Sequence, residues 1–374
     1  MKRLVIASDC FLPRKDGVAV ILNSLIPELA KKYKITVLAP NHGKVKAYKK
    51  VRLIRFPLIK RLKAGDFTFC RPNYRAVRRA VNAADIILTH TIGPVGLMAI
   101  IAARRAKKPV VAYIHSIEWE LAADAMRFRL LTNGFIPLAK LFIREVYNQC
   151  NLLLVPSSDV SEKLEKVGVT ARKKVVSPGI DAGRFVPPES KALAKAAVGI
   201  SQNIMVVGFC GRLGREKDLT TLYKAFQVLR KKRKEIVLLI VGSGVRSIEK
   251  FFSKKQGVIA PGGTDNVLPY LQAMDVYVLP SLTETTSLAT LEAMSCGLAV
   301  VCTPVGSLKT YIKNGVNGML FPKKNFMALS SSVEKLLGDE KLRQRLGRNA
   351  RNTVVRKFPE KRFIKKMIKV IDSF

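Results

Sequence analysis

Short, almost wholly apolar runs alternate with longer stretches whose apolar positions recur at helical spacing, and this alternation continues along the chain. Lys2 to Ala7 predicts a first strand, Pro13 to Gly17 a turn, Val18 to Tyr33 a helix with one apolar face, and Ile35 to Ala39 a second strand. Ile86 to Thr89, Val110 to Ile114 and Leu152 to Val155 predict further strands, with a helix over Val95 to Ala106 and a helix-rich region up to about Asn148. Strands that alternate with helices imply a parallel sheet with helices on both faces. Ser177 to Glu189 is loop-like, Lys191 to Ala197 is a short helix, and Ile204 then opens a second series. Its strands are Ile204 to Phe209, Val237 to Val241, Val258 to Ile259, Val276 to Leu279, Ala299 to Cys302 and Gly318 to Leu320. Met327 to Leu337, Glu340 to Phe358 and Glu360 to Asp372 read as helices. The expectation is an α/β fold of two Rossmann-like domains facing across a cleft, spanning 1–190 and 200–357, with a separate C-terminal segment over 358–374.

In parallel sheets ligands bind at the carboxyl ends of strands, which singles out Gly17, His90, His115 and Ser157 in the first half. The richest stretch lies in the second half, from Val276 to Gly297. A strand stops at Pro280, and Thr285, Thr286 and Ser287 are good cap residues for a helix starting near Ser287. The first turn of a helix offers unpaired N–H groups and suits a phosphate. Glu284 before that turn and Glu292 along it are placed to accept hydroxyl hydrogen bonds on either side of such a phosphate. A phosphate between two polyols is a sugar nucleotide; the competing reading is a capped surface helix with solvated glutamates. The first strand of the second half runs into GFCGRLGREKDL, Gly208 to Leu219, where Gly211 and Gly214 permit close backbone approach. Arg212 and Lys217 bring two cations to that turn, enough to neutralise a diphosphate. The spacing is not that of a Walker A loop, and VGSGVRS, Val241 to Ser247, has serine at the third glycine position of a dinucleotide fingerprint.

Composition changes the picture mainly through charge. Lys and Arg number 66 against 27 Asp and Glu, a formal charge of +39, so an anionic partner is expected: nucleic acid, anionic lipid or phosphorylated substrate. The cations concentrate between Lys44 and Arg79, interleaved with apolar residues such as Leu53, Phe56, Ile59 and Phe67. Arg127 to Tyr147 repeats the mixture. A basic surface with apolar insertions suits an anionic bilayer, and no nucleic-acid-binding motif accompanies it, so no nucleic acid is expected as partner. The six cysteines contain no C-x-x-C pair, which argues against a zinc site or a disulfide framework. No run has the length of a membrane span and the first residues lack a signal-peptide core, so a cytoplasmic, peripherally membrane-associated protein is expected. There is no D-x-D in the chain, so no carboxylate pair is evident to hold a metal on a diphosphate.

Taken in order, Gly17, His115, VPS at Val155 to Ser157, SPGID at Ser177 to Asp181, GRLGREKDL, VGSG and the E-x7-E of Glu284 and Glu292 make a recognisable series. It resembles the retaining, nucleotide-sugar-dependent glycosyltransferases of the GT-B fold, the group 1 or family 4 enzymes that include mannosyltransferases and sucrose synthases. The similarity covers essentially the whole chain and is strongest from Gly208 to Pro322. The resemblance implies a hexosyltransferase with a nucleotide-diphospho-sugar donor and no further cofactor or metal. It implies that Glu292 holds the ribose, Glu284 the donor sugar, and Arg212 and Lys217 the diphosphate, joined by the amides near Ser287 and Leu288 and by the glycine loop at Gly242. His115 is then implied beside the anomeric region, and Gly17 in a loop closing over the phosphates. The first domain becomes the acceptor side, the second the nucleotide-sugar side, and the C-terminal helix is implied to cross back to the first. The acceptor expected from the basic surface is a lipid or lipid-linked hydroxyl at the cytoplasmic membrane face; the alternatives are the same transferase acting on a soluble sugar or polyol and, from the charge alone, a basic nucleic-acid-binding α/β protein. The chain departs from the family at Thr285, Thr286 and Ser287, where Gly-Phe-Gly is usual, at Asp16 before a single Gly17, and at Ser307, where a glycine commonly follows Gly306.

Overall fold

The computed structural model describes residues 1–14, 16–45, 48–64, 67–120 and 129–374, the side chains of 63, 64 and 129–133 excepted. Lys46, Asp66 and Arg127, all within the basic stretches above, lie outside the described residues. The chain divides into two compact units, Met1–Pro178 with Arg362–Phe374, and Gly179–Lys361.

The first unit is built on strands β1 (Arg3–Ala7), β2 (Lys34–Pro40), β3 (Val51–Phe56), β6 (Ile86–Thr89), β7 (Val110–Tyr113), β8 (Leu152–Val155) and β9 (Lys173–Val175) in the order β3-β2-β1-β6-β7-β8-β9. Every pairing in it is parallel, with Ala7 beside both Leu38 and Thr89. A separate antiparallel ribbon joins β4 (Leu58–Ala64) to β5 (Phe67–Cys70). The helices are α1 (Gly17–Leu29), α2 (Tyr74–Asn82), α3 (Pro94–Arg105), α4 (Arg129–Tyr147) and α5 (Ser158–Lys166). The central strands β1, β6, β7 and β8 are buried along almost their whole length, as a sheet covered on both faces requires.

The strands β3, β4 and β5 and helix α2 fall inside the basic stretch that sequence reading treats only as a charged surface. VRLIRF is nevertheless a strand at the edge of the sheet, in which Arg52 is exposed while Phe56 is buried. Cations on an edge strand are a common way of keeping its unpaired backbone from other chains. Arg55 differs from its neighbours, because its guanidinium donates to the carbonyls of Pro40, Gly43 and Leu12 and so braces the loop after β2.

The second unit has β10 (Met205–Cys210), β11 (Ile236–Val241), β12 (Val258–Gly262), β13 (Val276–Leu279), β14 (Ala299–Cys302) and β15 (Met319–Leu320), ordered β12-β11-β10-β13-β14-β15 and parallel throughout. Around it lie α6 (Lys191–Ala196), α7 (Leu219–Lys232), α8 (Arg246–Phe252), α9 (Leu268–Ala273), α10 (Leu288–Ser295), α11 (Leu308–Tyr311), α12 (Phe326–Gly338) and α13 (Glu340–Lys357). A buried ion pair, Lys195 to Asp275 at 2.9 Å, ties α6 to the sheet, and the same carboxylate accepts the Val206 N–H at 2.8 Å.

Residues 179–190, expected with the first domain, pack in the second unit. Ile180 N–H donates to Phe358 O at 2.8 Å, and the Phe185 carbonyl receives both Ser295 Oγ at 2.7 Å and the Arg351 guanidinium at 2.9 Å. The boundary therefore falls at Pro178, where the loop already has its polar partners on one side. The last helix, α14 (Glu360–Asp372), starts in the second unit and belongs to the first from Arg362 onward. It buries Phe363, Met367, Val370 and Ile371 at helical spacing, and Asp372 accepts the Tyr33 hydroxyl proton at 2.5 Å.

Candidate functional site

In each sheet the chain reverses its direction of winding once, and at that point two loops leave adjacent strands in opposite directions, opening a crevice at the carboxyl ends. In the second unit the reversal lies between β10 and β13. The loop after β10 carries Gly211 to Lys217, and the loop after β13 carries Pro280 to Ser287, so the two motifs singled out in the sequence become neighbours.

Lys217 Nζ forms an ion pair with Glu284 Oε1, the two side chains 16 % and 9 % exposed. Ser281 Oγ donates to the same oxygen at 2.9 Å. Each charge is thus held at the mouth of the crevice by a partner that an incoming diphosphate or hydroxyl can replace. The two loops are also joined through the backbone, Leu282 N–H donating to Glu216 O at 2.7 Å. Glu216 itself is buried and receives Arg212 on its carboxylate at 2.5 Å. Sequence reading passes over Glu216, since a glutamate in a charged turn looks solvated; the close approach of Gly214, where a Cβ would overlap that carboxylate, is the one local sign of it.

Gly242, at the end of β11, has φ of +138°, and a Cβ there would overlap Gly211 O. The VGSG loop therefore lies flat on the GRLG loop, with Leu213 N–H donating to Ser243 O at 2.9 Å. Gly306, with φ of +51°, lets the following loop approach Glu284 O. Ser307, which stands where the family often has glycine, donates its N–H to Thr285 O at 3.0 Å and bonds Thr286 Oγ1 at 2.9 Å. Its hydroxyl pins the threonine loop that replaces Gly-Phe-Gly.

Ser287 is the N-cap of α10, accepting Thr290 N–H at 3.2 Å, and no acid lies in the first turn, so Leu288 opens a helix end of positive potential. One turn further, Glu292 is half-buried. Burial pushes its carboxyl up to about 7, against the opposing pull of the Arg184 guanidinium. No protein hydrogen bond or ion pair to that carboxylate exists among the described residues. A half-buried carboxylate without a protein donor can be completed by water or by a ligand hydroxyl. Arg184 lies in the 179–190 segment, and nothing in its sequence neighbourhood marks it.

His115 and Gly17 belong to the first unit. Gly17 begins α1 behind the N-cap Asp16, whose carboxylate accepts Ala19 N–H at 3.0 Å and Arg14 Nε–H at 3.0 Å. That helix end already carries an anion. His115 follows β7, and its Nε2 lies 2.8 Å from Nδ1 of His90, which follows the adjacent strand β6. Burial, then His90, push the His115 imidazole well below its ordinary range. Among the described residues no group of three or more His, Cys, Asp or Glu side chains is gathered as a metal would require, and no helix is long and apolar enough to cross a membrane.

Comparison with known proteins bears on the family and the fold. The model described as glycosyl transferases group 1 matches residues 190–353, and that described as glycosyltransferase family 4 matches residues 15–184. The GDP-mannose-dependent alpha-(1-6)-phosphatidylinositol monomannoside mannosyltransferase of Mycolicibacterium smegmatis is 23% identical over 92% of this chain and 91% of its own length. The alpha-monoglucosyldiacylglycerol synthase of Streptococcus pneumoniae is 24% identical over 85% of this chain and 75% of its own. Among solved structures, Anabaena Alr3699/HepE in complex with UDP and glucose superposes with a TM-score of 0.81, at 18% identity and full coverage of both chains. Sucrose-phosphate synthase from Thermosynechococcus elongatus gives 0.79 at 19%, covering 100% and 99%. At such identities these structures establish a shared fold, that of the GT-B glycosyltransferases.

Proposed function

The chain belongs to the group 1 glycosyltransferases, and on that premise we propose that it moves a hexose from a nucleotide-diphospho-sugar, with retention of configuration, to a lipid or lipid-linked hydroxyl. The observation that carries the donor half is the site at the β10–β13 reversal: a cationic loop, a capped helix start and an unpartnered Glu292 within one unit. Glu292 takes the ribose hydroxyls, Lys217 and Arg212 the diphosphate with the amides of Ser287 and Leu288, and Glu284, released from Lys217, the sugar hydroxyls. Charge on the leaving diphosphate is stabilised by these cations and the helix end, without a metal or other cofactor. Retention puts the acceptor on the face of the departing diphosphate, whose oxygen takes the acceptor proton. His115 orients the sugar.

The acceptor half rests on the first unit's surface. On α4 the apolar residues Phe135, Leu138, Leu141 and Phe142 are exposed along one side, each at least 44 %. Phe142 continues into an apolar cavity of about 600 Å³ that Tyr74, Leu97, Met98 and Ile101 line and Arg105 edges. The same unit exposes Lys49, Lys50 and Arg52, and exposed apolar and cationic side chains are what binds anionic bilayers. The Mycolicibacterium and Streptococcus relatives are both named for glycolipids, which supports a lipid acceptor here.

Incubation with UDP-, GDP- and ADP-sugars, read by thermal shift, identifies the donor. Transfer to glycolipid in anionic vesicles, with the product's anomeric configuration read by NMR, tests the rest. An inverted product would overturn retention, and equal transfer to soluble sugars without vesicles would overturn the lipid acceptor.

A further inference from the structure

Beside α2 the first unit has an unfilled corner. The amino ends of β1, β2 and β3, with Ala76 and Ala80 of α2 and Ala83 just past its end, enclose a cavity of about 910 Å³. The alanines recur at helical spacing next to Val77 and Val81, which are fully buried where α2 packs against α3. The valines fill the space they face; the alanines leave theirs open.

The strand face at this corner is cationic, although a parallel sheet covered by helices is ordinarily apolar there. Register places Val5, Thr36 and Arg52 side by side on adjacent strands, and Arg3 beside Lys34 two residues nearer the strand starts. Alternation puts all five on the face of Ala7 and Leu38, which share a core with Val77 and Val81. Lys50 and Arg79 also line the cavity, so five exposed cations surround one space. Among the described residues no carboxylate lines it, and none of the five side chains has an ion pair or hydrogen bond. The carboxylates at its border hold other donors: Asp85 accepts Arg3 N–H at 2.7 Å, and Asp372 accepts the Tyr33 hydroxyl proton. Unpaired like charges gathered in this way repel one another, and a bound anion relieves the repulsion.

Cavities of about 300–1,000 Å³ are of the size that takes a whole small ligand. This one combines its cations with apolar walls from Val5, Ile54 and the alanines, and the occupant has to suit both. A nucleic acid or a free phosphate pairs the cations and leaves the walls in water. A neutral lipid covers the walls and leaves the cations unpaired. We propose that the cavity beside α2 binds an anionic phospholipid, its phosphate among Arg3, Lys34, Arg52 and Arg79 and part of an acyl chain against Val5, Ile54 and the alanines of α2. Asp9, His90 and His115 follow β1, β6 and β7 at the opposite, carboxyl ends of the strands. The bound lipid is therefore not the acceptor of the proposed reaction, and the site stands independently of that reading.

Calorimetric titration of the full chain with dihexanoylphosphatidylglycerol below its micelle concentration, where no bilayer surface is present, tests the site. One lipid per chain is expected to bind. Dihexanoylphosphatidylcholine is expected to bind about tenfold more weakly, lacking the net charge, and glycerol phosphate about a hundredfold more weakly, lacking the chains. Ala80→Phe fills the cavity without altering a charge; it is expected to cost at least about tenfold in affinity and not to lower the melting temperature. Lys34→Glu with Arg79→Glu should weaken binding and flatten its salt dependence. Lys50 and Arg52 stay in place, since they also belong to the exposed basic surface. A saturating nucleoside diphosphate is expected not to displace the lipid. Equal affinity for the phosphatidylcholine or for glycerol phosphate, unchanged affinity in a folded Ala80→Phe protein, or displacement by the nucleotide would each overturn the proposal. Should Ala80→Phe fail to fold, a photoreactive phosphatidylglycerol in vesicles decides on the unmodified chain: label on α2 and β3 is expected, and label confined to α4 or to the second unit would overturn the site.

Discussion

The two units use one topology and finish their winding reversals in opposite ways. In the first, the crevice between β1 and β6 is closed by the chain itself. Asp9, 1 % exposed, accepts the Val95 and Gly96 N–H groups of α3 at 2.8 and 3.1 Å and the Thr91 hydroxyl at 2.7 Å. Gly93 is required there, because a Cβ would overlap the Asp9 carboxyl. An internal carboxylate thus sits where an anion would otherwise bind a helix N-terminus. In the second unit the corresponding helix α10 is capped by the neutral Ser287, has no acid in its first turn, and is fronted by Lys217. The same architecture carries a buried carboxylate at this helix end in one unit and a neutral cap in the other, where the proposed function places the diphosphate.

The most damaging changes to this contrast are in the second unit. Lys217→Ala is expected to lower transfer about 10²- to 10³-fold, the usual cost of deleting one electrostatic contact at a reacting centre, and Glu292→Ala to abolish transfer by loss of donor binding. Circular dichroism and melting should show the fold intact. Removing the buried carboxylate should do the reverse. Asp9→Asn replaces an oxygen acceptor with an amino group facing α3 N–H groups, and is expected to cost about 2 kcal/mol of stability in a denaturant melt while sparing donor affinity.

Next in size is a pH effect. In the proposed site Glu292 would bind hydroxyls as a carboxylate, and burial raises its pKa to about 7. Donor affinity is therefore expected to rise with pH, by at most about tenfold per unit below that value, and to level off above it. Glu292→Gln should abolish the slope. The smallest effect belongs to Glu118, which accepts the Tyr147 hydroxyl at 3.0 Å but has a buried second oxygen without a partner, and which burial pushes up to about 7 from 4.5. The folded state holds that proton more tightly than the unfolded state. Its contribution is thus fully present below about 4.5 and lost as pH rises through about 7. Glu118→Gln is expected to flatten the melting temperature across that window and to be the more stable protein, by about 1 kcal/mol, at pH 8.

Much of the second unit was legible beforehand because its signals are local. The strands Val276–Leu279 and Ala299–Cys302 are wholly apolar, Ser287 caps where its sequence says it should, and the glycines mark close approaches. What escaped reading depends on partners distant in sequence. Asp9 means nothing until β6 brings Thr91 and α3 beside it, and Glu216 looks solvated until Arg212 and the loop at Leu282 fold onto it. Arg55 counted among the membrane-facing cations, yet its guanidinium is spent on three backbone carbonyls. Lys49, Lys50 and Arg52 are the cations to neutralise in a vesicle-binding test.

The central claim is that the anion site at the winding reversal lies in the second unit and is closed in the first. Calorimetric titration of a nucleoside diphosphate into the full chain and its Asp9→Asn and Lys217→Ala variants tests it most directly. Near-native affinity in Asp9→Asn with binding lost in Lys217→Ala is the result this account predicts. Undiminished binding in Lys217→Ala, or binding lost in a folded Asp9→Asn protein, would contradict it.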